Sequence, residues 1–475
     1  MPAWAPLVRT YPHFDPLLTG EKAASIALDP QAVAAHTFYP FIKYDERWTL
    51  FAEAGEPGRP KERPIRYAAR LDACIFSYYR HMLSEPYERR LEAEGLTETV
   101  LAYRRVRAST GKGGKSNIDF AKEAFQYAQA LGDCCAISLD ISSFFESLDH
   151  QRLKSLWASL LGLERLPPDH FAVYKAMTRY AYVEKLEAYE RLGFYGKKVG
   201  PGGRSVMGFL VDPRAIPVQL CKGEQFRTRI AGGDGSGSII KLNRTPHGVP
   251  QGAPLSDLLA NLYLLDFDMQ MKALAESVGG RYLRYSDDIL FVAPVTAEHA
   301  TRLEAEARGA ISRFGDALVI KEKKSFIHEF AADGMGQIVA TIKPEGSNKG
   351  LEYLGFRYDG RNAYIRDKTL SALHRKIVAS CRAVSIHLER RYRSKSPQEI
   401  IALYNFEALY QRFGAVDAFK DKQTEYRNWT FWTYAKKAIR TFGPLGAPMT
   451  HQVSRLRRQI RKRLASEVAR ACARR

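Results

Sequence analysis

The stretch that most constrains this chain is Tyr282-Leu-Arg-Tyr-Ser-Asp-Asp-Ile-Leu-Phe-Val-Ala293. Tyr282 to Tyr285 and Ile289 to Ala293 have the β-branched, aromatic and aliphatic content of short strands. Ser286, Asp287 and Asp288 between them form a tight hairpin turn. Asp is a common turn residue, and a lone Asp-Asp turn is most often merely solvated. Two adjacent carboxylates repel each other, however, and a cation relieves that repulsion. The rest of the sequence decides between these readings.

A second carboxylate stands in a comparable setting. In Ala136-Ile-Ser-Leu-Asp140-Ile-Ser-Ser-Phe144-Phe145, Ile137 and Leu139 alternate with small or polar neighbours as in a core strand. Asp140 is expected at the strand's end, where burying a carboxylate is costly unless a cation meets it. The next helix begins too far downstream for Asp140 to cap it; Asp149 is the expected cap. If strand and hairpin lie side by side, Asp140, Asp287 and Asp288 converge at one sheet edge. Such a constellation holds two divalent ions about 3.5–4 Å apart, Mg²⁺ or alternatively Mn²⁺, and supports phosphoryl chemistry at a 3′-hydroxyl. Asp266 and Asp268 read instead as polar positions at the far end of a helix.

The charge balance points to the partner. Lys and Arg number 72 against 52 Asp and Glu, a net +20, which favours a polyanion. No apolar run approaches the roughly 18 residues of a membrane span, so nucleic acid is favoured over lipid. The start, Met-Pro-Ala-Trp-Ala-Pro, lacks the charged and apolar run of a signal peptide. Six cysteines without CxxC pairing give neither a disulfide framework nor a zinc site, and a cytoplasmic location is expected. Basic residues gather in two places. Arg104, Lys112 and Lys115 lie in a basic strand and Gly/Lys loop of the kind that wraps phosphate. Arg455, Arg457, Arg458, Arg461, Lys462 and Arg463 crowd around a helical stripe of Leu456, Ile460, Leu464 and Val468.

Along the chain, residues 1–60 are mixed and Pro-rich, with Phe38 to Phe41 and Trp48 as packing anchors. A helix with a basic entry follows, its stripe at Leu71, Ile75, Tyr78, Tyr79 and Met82. Residues 160–240 read as an insertion with helical pieces near 171–192 and 213–226. The rigid turn Gly248-Val-Pro-Gln251-Gly252 then leads into an apolar helix. A helix over 297–314, a long loop after Ser325 and a helical segment from 368 onward, with Tyr404, Tyr410, Trp429 and Trp432, complete the pattern.

In this order the motifs resemble those of reverse transcriptases: the basic Gly/Lys stretch, LDISSFF, GVPQG, YSDD, IKEKKS and LEYLGF, spanning residues 63–358. GVPQG followed by YSDD is the most specific part. The resemblance implies an α+β right-hand polymerase. Its fingers and N-terminal region would run over 1–132, its palm with an antiparallel sheet over 133–360 around the insertion, and its helical basic thumb over 361–475. It implies metal binding by Asp140, Asp287 and Asp288, with the Ile141 carbonyl nearby. Phe145 would crowd the sugar 2′ carbon, Gln251 and Lys324 would line the nucleotide pocket, and Leu354-Gly355 would grip the primer. The segment RPIRYAARLDACIFSYY is most similar to bacterial antiphage, abortive-infection and unknown-group reverse transcriptases. The implied partners are deoxynucleotides, product DNA and a noncoding RNA serving as template or scaffold, together with a partner protein or further copies of the chain. A retron or group II intron enzyme, or a template-independent polymerase of the same fold, is the alternative.

Overall fold

The computed structural model describes residues 3–6, 8–49, 60–107, 113–200, 203–344, 350–413 and 430–474. Its class is α+β, as the resemblance implies. The chain divides into two compact units, each drawn from three stretches of sequence. The first comprises Met1–Tyr103, Ile141–Ala273 and Glu306–Lys321; the second comprises Arg104–Asp140, Leu274–Ala305 and Glu322–Arg475. No helix among the described residues is long and apolar enough to cross a membrane.

The first unit is built on a sheet of strands Pro60–Tyr67, Phe41–Thr49, Ala181–Glu184 and Lys241–Leu242, in that order. Phe41–Thr49 pairs antiparallel with Pro60–Tyr67 and parallel with Ala181–Glu184. The N-terminal stretch therefore carries a hairpin that its Pro content hid; the side chain of Trp48 lies outside the described residues. The insertion is not two helices. Its first piece is split into helices Pro168–Thr178 and Lys185–Arg191 by the strand Ala181–Glu184, which the aromatic and β-branched run Tyr180-Ala-Tyr-Val favours. Its second piece, interrupted by Pro217 and Gly223, gives only short turns such as Pro213–Ala215. Val183, Tyr189, Ile216, Leu220 and Ile230 from this region share one buried cluster with Phe14 and Ile42, so it is part of the unit's core. The long helix Arg70–Ala93 buries Phe76, Tyr79, Leu83, Tyr87 and Leu91. Met82, expected inside, is 37% exposed, because the buried stripe runs one residue further round.

The second unit centres on the strand Cys134–Ser142, whose last two residues fall in the first unit and pair there with Val319–Ile320. In the second unit this strand lies between Phe326–Ala332 and Asp288–Ala293. Gln337–Lys343 and Arg281–Tyr285 lie outermost, and every pairing is antiparallel. Flanked on both sides, it is buried at Cys134 to Ile137, Leu139 and Ile141. The helix Asn117–Leu131 lays Ile118, Ala121, Phe125 and Ala128 inward at intervals of three and four. Its start is tied by Asp119, whose Oδ2 accepts from the Ser116 backbone at 2.8 Å. The stretch read as a long loop after Ser325 is the hairpin Phe326–Ala332/Gln337–Lys343. From Asp367 onward the described residues are predominantly helical. Ile377, Cys381 and Leu388 of helix Asp367–Arg391 share a core with Leu456, Ile460, Leu464 and Val468 of helix Leu456–Cys472. The apolar stripe of that last helix is thus buried in full. Trp429 lies outside the described residues.

Candidate active site

The carboxylate hairpin closes at the pair Tyr285 and Asp288, leaving Ser286 and Asp287 as its turn. Ser286 has φ +61 while Asp287 does not enter the left-handed region, the signature of a type II′ turn. Glycine is the usual residue there; serine carries a strain of about 1 kcal/mol. The strained peptide is held from below. Arg284 is fully buried, and its Nη1 donates to the Ser286 carbonyl at 3.1 Å. In sequence Arg284 looks like an ordinary polar position of a strand; only the turn's geometry exposes its role.

Asp288 opens its strand directly opposite Asp140. Directly opposed residues project to the same face of a sheet, with Cα atoms about 4.5–5.5 Å apart. Asp140 is not the last residue of its strand, which continues through Ser142; it is where pairing with Asp288–Ala293 ends. Burial, then the charges of Asp287 and Asp140, push the Asp288 carboxyl up to about 6, while Arg366 and Lys324 pull it back. Asp288 keeps an open face to solvent, and the repulsion of Asp287 and Asp140 acts on it there. The Lys324 ammonium, half-exposed, is ion-paired with Asp140.

Further groups complete this site in the second unit. Tyr353 is 3% exposed, and its hydroxyl is buried with no hydrogen-bond partner among the described residues. Burial, then the charges of Asp288 and Tyr285, push this hydroxyl far up, so it stays protonated. Tyr353 and Phe356 flank the turn Leu354-Gly355, with φ +46 and +93, a type I′ hairpin. Asn117 Nδ2 donates to the Leu354 carbonyl and to the Tyr434 hydroxyl, both at 3.0 Å, and Arg366 N donates to the Gly355 carbonyl at 3.0 Å. The turn is thus pinned by Asn117, at the start of helix Asn117–Leu131, and by the Arg366 backbone, while Tyr434 of helix Phe431–Phe442 holds Asn117 in place. Arg366, Tyr353 and Asn117 were not singled out in sequence, because each acts across a large separation in the chain.

Phe145 and Gln251 sit together in the first unit. Phe144 is buried, whereas Phe145 is half-buried. The Phe145 carbonyl accepts from Val249 N at 2.7 Å, and the Gln251 carbonyl accepts from Arg66 N at 2.8 Å. Arg66 in turn pairs with Glu146 at 2.5 Å. Gly252, at φ +115, passes so close that a Cβ would lie 2.8 Å from the Arg66 carbonyl. Glycine is therefore required where this turn meets the strand Pro60–Tyr67. Ile141 is buried in the same unit, opposite Ile320.

The basic residues divide. The expected basic strand before Lys112 is a turn with a single bridge, Arg107 to Gly114. Lys115 pairs with Glu123 at 2.7 Å, Arg104 is half-buried, and Lys112 lies outside the described residues. On the last helix, Arg455, Arg457, Arg458, Arg461 and Lys462 are exposed. Arg461 Nε donates to the Tyr410 hydroxyl at 2.7 Å, and Arg463 pairs with the buried Glu467 at 2.6 Å. Asp266 and Asp268, read as polar positions at the far end of a helix, lie instead in the first turn of a further helix, Leu265–Ser277; Asp266 pairs with Arg152 at 2.6 Å and Asp268 is fully buried.

Among the described residues no three His, Cys, Asp or Glu side chains are drawn together as a ready-made metal-ligand set. The chemistry of Asp140, Asp287 and Asp288 nevertheless suits hard divalent ions: all donors are carboxylate oxygens, and Asp288 is held against ionisation by two like charges. An ordinary Asp titrates near 3.8 and this one near 6, so the folded state gains protons relative to the unfolded state between those values. The penalty from Asp288 is absent below that window and complete above it. Without divalent ions, Asp288→Asn is expected to raise Tm by about 1–2 °C at pH 8 and leave it unchanged near pH 4. Adding Mg²⁺ at pH 8 should then stabilise the parent more than the variant. Equal Tm values for the two proteins at both pH values would contradict the repulsion.

No family model matches the chain. Over 55 residues it is 38% identical to the retron Mx162 reverse transcriptase of Myxococcus xanthus, a match covering 12% of this chain and 11% of that protein. Among solved structures it is similar to apo telomerase of Candida tropicalis truncated from its C-terminal domain, with TM-score 0.37 and 9% identity over 73% of this chain and 60% of that one. It is also similar to telomerase of Candida albicans in complex with a TWJ fragment of telomeric RNA, with TM-score 0.37 and 12% identity over 94% and 65% of the respective chains.

Proposed function

We propose that the chain is a reverse transcriptase, an RNA-directed DNA polymerase of the right-hand type. The observation that carries this reading is the cross-strand pair Asp140–Asp288, with Asp287 on the adjoining turn and Lys324 paired to Asp140. The 55-residue likeness to a retron reverse transcriptase supports it. Asp140, Asp287 and Asp288, with the Ile141 carbonyl, would hold the metal. Two Mg²⁺ ions, when bound, would activate the primer hydroxyl and neutralise the phosphate charge. Lys324 presents a half-exposed ammonium beside those carboxylates, suited to a triphosphate. Arg104, Lys112 and Lys115 add phosphate contacts, Leu354-Gly355 position the primer, and the exposed arginines of the last helix hold nucleic acid by its backbone. The finer reading is synthesis in bacterial antiviral defence on a noncoding RNA. The likeness to a retron enzyme is what favours a retron-type role as the second reading.

Phe145 is proposed to exclude ribonucleotides. Its ring is half-buried where Phe144 is core, so Phe145 is the one available to a sugar. Phe145→Ala should raise ribonucleotide use relative to deoxynucleotide use by about 10-fold or more. An unchanged ratio in Phe145→Ala with a rise in Phe144→Ala would transfer the role to its neighbour.

The function is tested by sequencing nucleic acid that copurifies with the chain. The expected result is an RNA together with DNA complementary to it, the DNA missing from preparations of Asp287→Asn. RNA accompanied by no DNA in preparations active in vivo would overturn the reading.

A further inference from the structure

A basic groove lies in the first unit, beside the segment that leads into the Gly248–Gly252 turn. The helices His150–Leu160 and Pro168–Thr178 and the segment leading into that turn enclose an open groove of about 700 Å³. Lys154, Lys175, Arg179 and Arg244 line it, with Phe171 and Asn243. A smaller recess of about 380 Å³ adjoins it, sharing Gln151, Lys154 and Phe171 and adding the opposite charges of Glu164 and Arg165.

These cations differ from others in the same unit. Lys43, Arg66, Arg80, Arg152 and Lys241 each pair with a carboxylate: Glu184, Glu146, Asp257, Asp266 and Glu187. Among the described residues, Lys154, Lys175, Arg179 and Arg244 have no such partner. Asp149 is the one carboxylate among the described residues lining the groove; its Oδ1 caps a helix by accepting from Arg152 N at 2.7 Å, and it is outnumbered there by four cations. Lys154 and Lys175 meet instead over one ring: each ammonium lies 5.1 Å from the centre of Phe171. Phe171 is itself stacked on Tyr174, centroids 6.0 Å apart. An aromatic ring attracts both ammonium groups without neutralising either. Such charges repel unless a polyanion joins them.

We infer that this groove binds a single-stranded nucleic-acid segment by its phosphates, Lys154 and Lys175 acting as a pair on Phe171 and Arg179 and Arg244 extending the track. Several unmatched cations in an open channel suit successive phosphates better than one isolated phosphate. Asn243 fixes the channel's wall, its Nδ2 donating to the Thr178 carbonyl at 2.9 Å and to the His247 carbonyl at 3.1 Å. The wall therefore runs into the Gly248–Gly252 turn, so a strand held here is anchored at the entrance to that turn. This deepens the nucleic-acid reading above but does not depend on synthesis.

The test uses the full chain and an unstructured, labelled strand of about 20 nucleotides, as RNA and as DNA of the same sequence, followed by fluorescence anisotropy across salt concentrations. In Lys154→Gln/Lys175→Gln/Arg244→Gln, affinity is expected to fall by about 10-fold and the salt slope to lose about 2 units, at about 0.7 per phosphate contact. Lys154→Arg/Lys175→Arg should retain both. An RNA-only effect assigns the groove to RNA; an equal effect on DNA assigns it to either strand. Unchanged affinity and slope in the Gln variant would overturn the inference. Loss of binding in that variant, with no DNA synthesis by the parent, would leave the groove standing and remove the polymerase reading. Synthesis by the parent with unchanged binding in the variant would do the reverse.

Discussion

Asp287→Asn and Asp288→Asn are each expected to lower deoxynucleotide incorporation by about 10³-fold, equivalent to about 4 kcal/mol of transition-state stabilisation. The carboxylates stand on adjoining positions of one hairpin, Asp288 directly opposite Asp140, and a neutral amide at either position weakens the hold on a divalent ion. The fold should persist. Asp288 is a source of repulsion in the metal-free protein, and Asp287 occupies a turn whose geometry is set by Ser286 and Arg284. Nucleic-acid binding should persist too, because it rests on dispersed Lys and Arg. Circular dichroism and RNA affinity are the controls, and primer extension is the readout. Either variant extending a primer at the parent's rate would remove these residues from the chemistry.

Arg284→Ala is expected to destabilise the chain by about 2–4 kcal/mol, the scale for losing a buried charge-assisted hydrogen bond together with the cavity left behind. Arg284 is fully buried, and its guanidinium donates to the carbonyl of the strained Ser286. Without it, that carbonyl loses a buried donor and the void beneath the turn is only partly filled by relaxation. Synthesis should fall further than the loss of folded protein explains, since the turn carries Asp287. Arg284→Lys keeps the charge and loses the planar fork, so it should lie between parent and Ala. Urea unfolding followed by Trp fluorescence gives the first quantity, and incorporation per folded molecule the second. An Ala variant within about 1 kcal/mol of the parent would show that the turn holds itself.

Much of the candidate site is legible in the sequence because its parts are local. The Ser-Asp-Asp hairpin follows from two short strands around polar turn residues, and Asp149 caps its helix as the spacing indicates. The buried stripe Leu456, Ile460, Leu464 and Val468 follows from period alone. What the sequence hides is non-local or contrary to polarity. Arg366 lies far along the chain from Asp288 yet tempers its carboxyl. Arg284 and Asp268 are charged residues buried outright, which no hydropathy pattern foretells. The hairpin Phe326–Ala332/Gln337–Lys343 reads as a loop because its turn is Asp333-Gly-Met-Gly336 and Ile338 is 60% exposed, which breaks the alternation. The strand Ala181–Glu184 is too short to stand out between two helices, and only its pairing with Phe41–Thr49 defines it.

Single-nucleotide incorporation tests the central claim most directly. The chain is given an RNA template annealed to a DNA primer, one deoxynucleotide at a time, and Mg²⁺. The account predicts addition of the deoxynucleotide complementary to the next RNA base, a switch in the nucleotide used when that base is changed, and no addition after chelation of the metal. Failure to extend the primer with either Mg²⁺ or Mn²⁺, or addition indifferent to the template base, would contradict it.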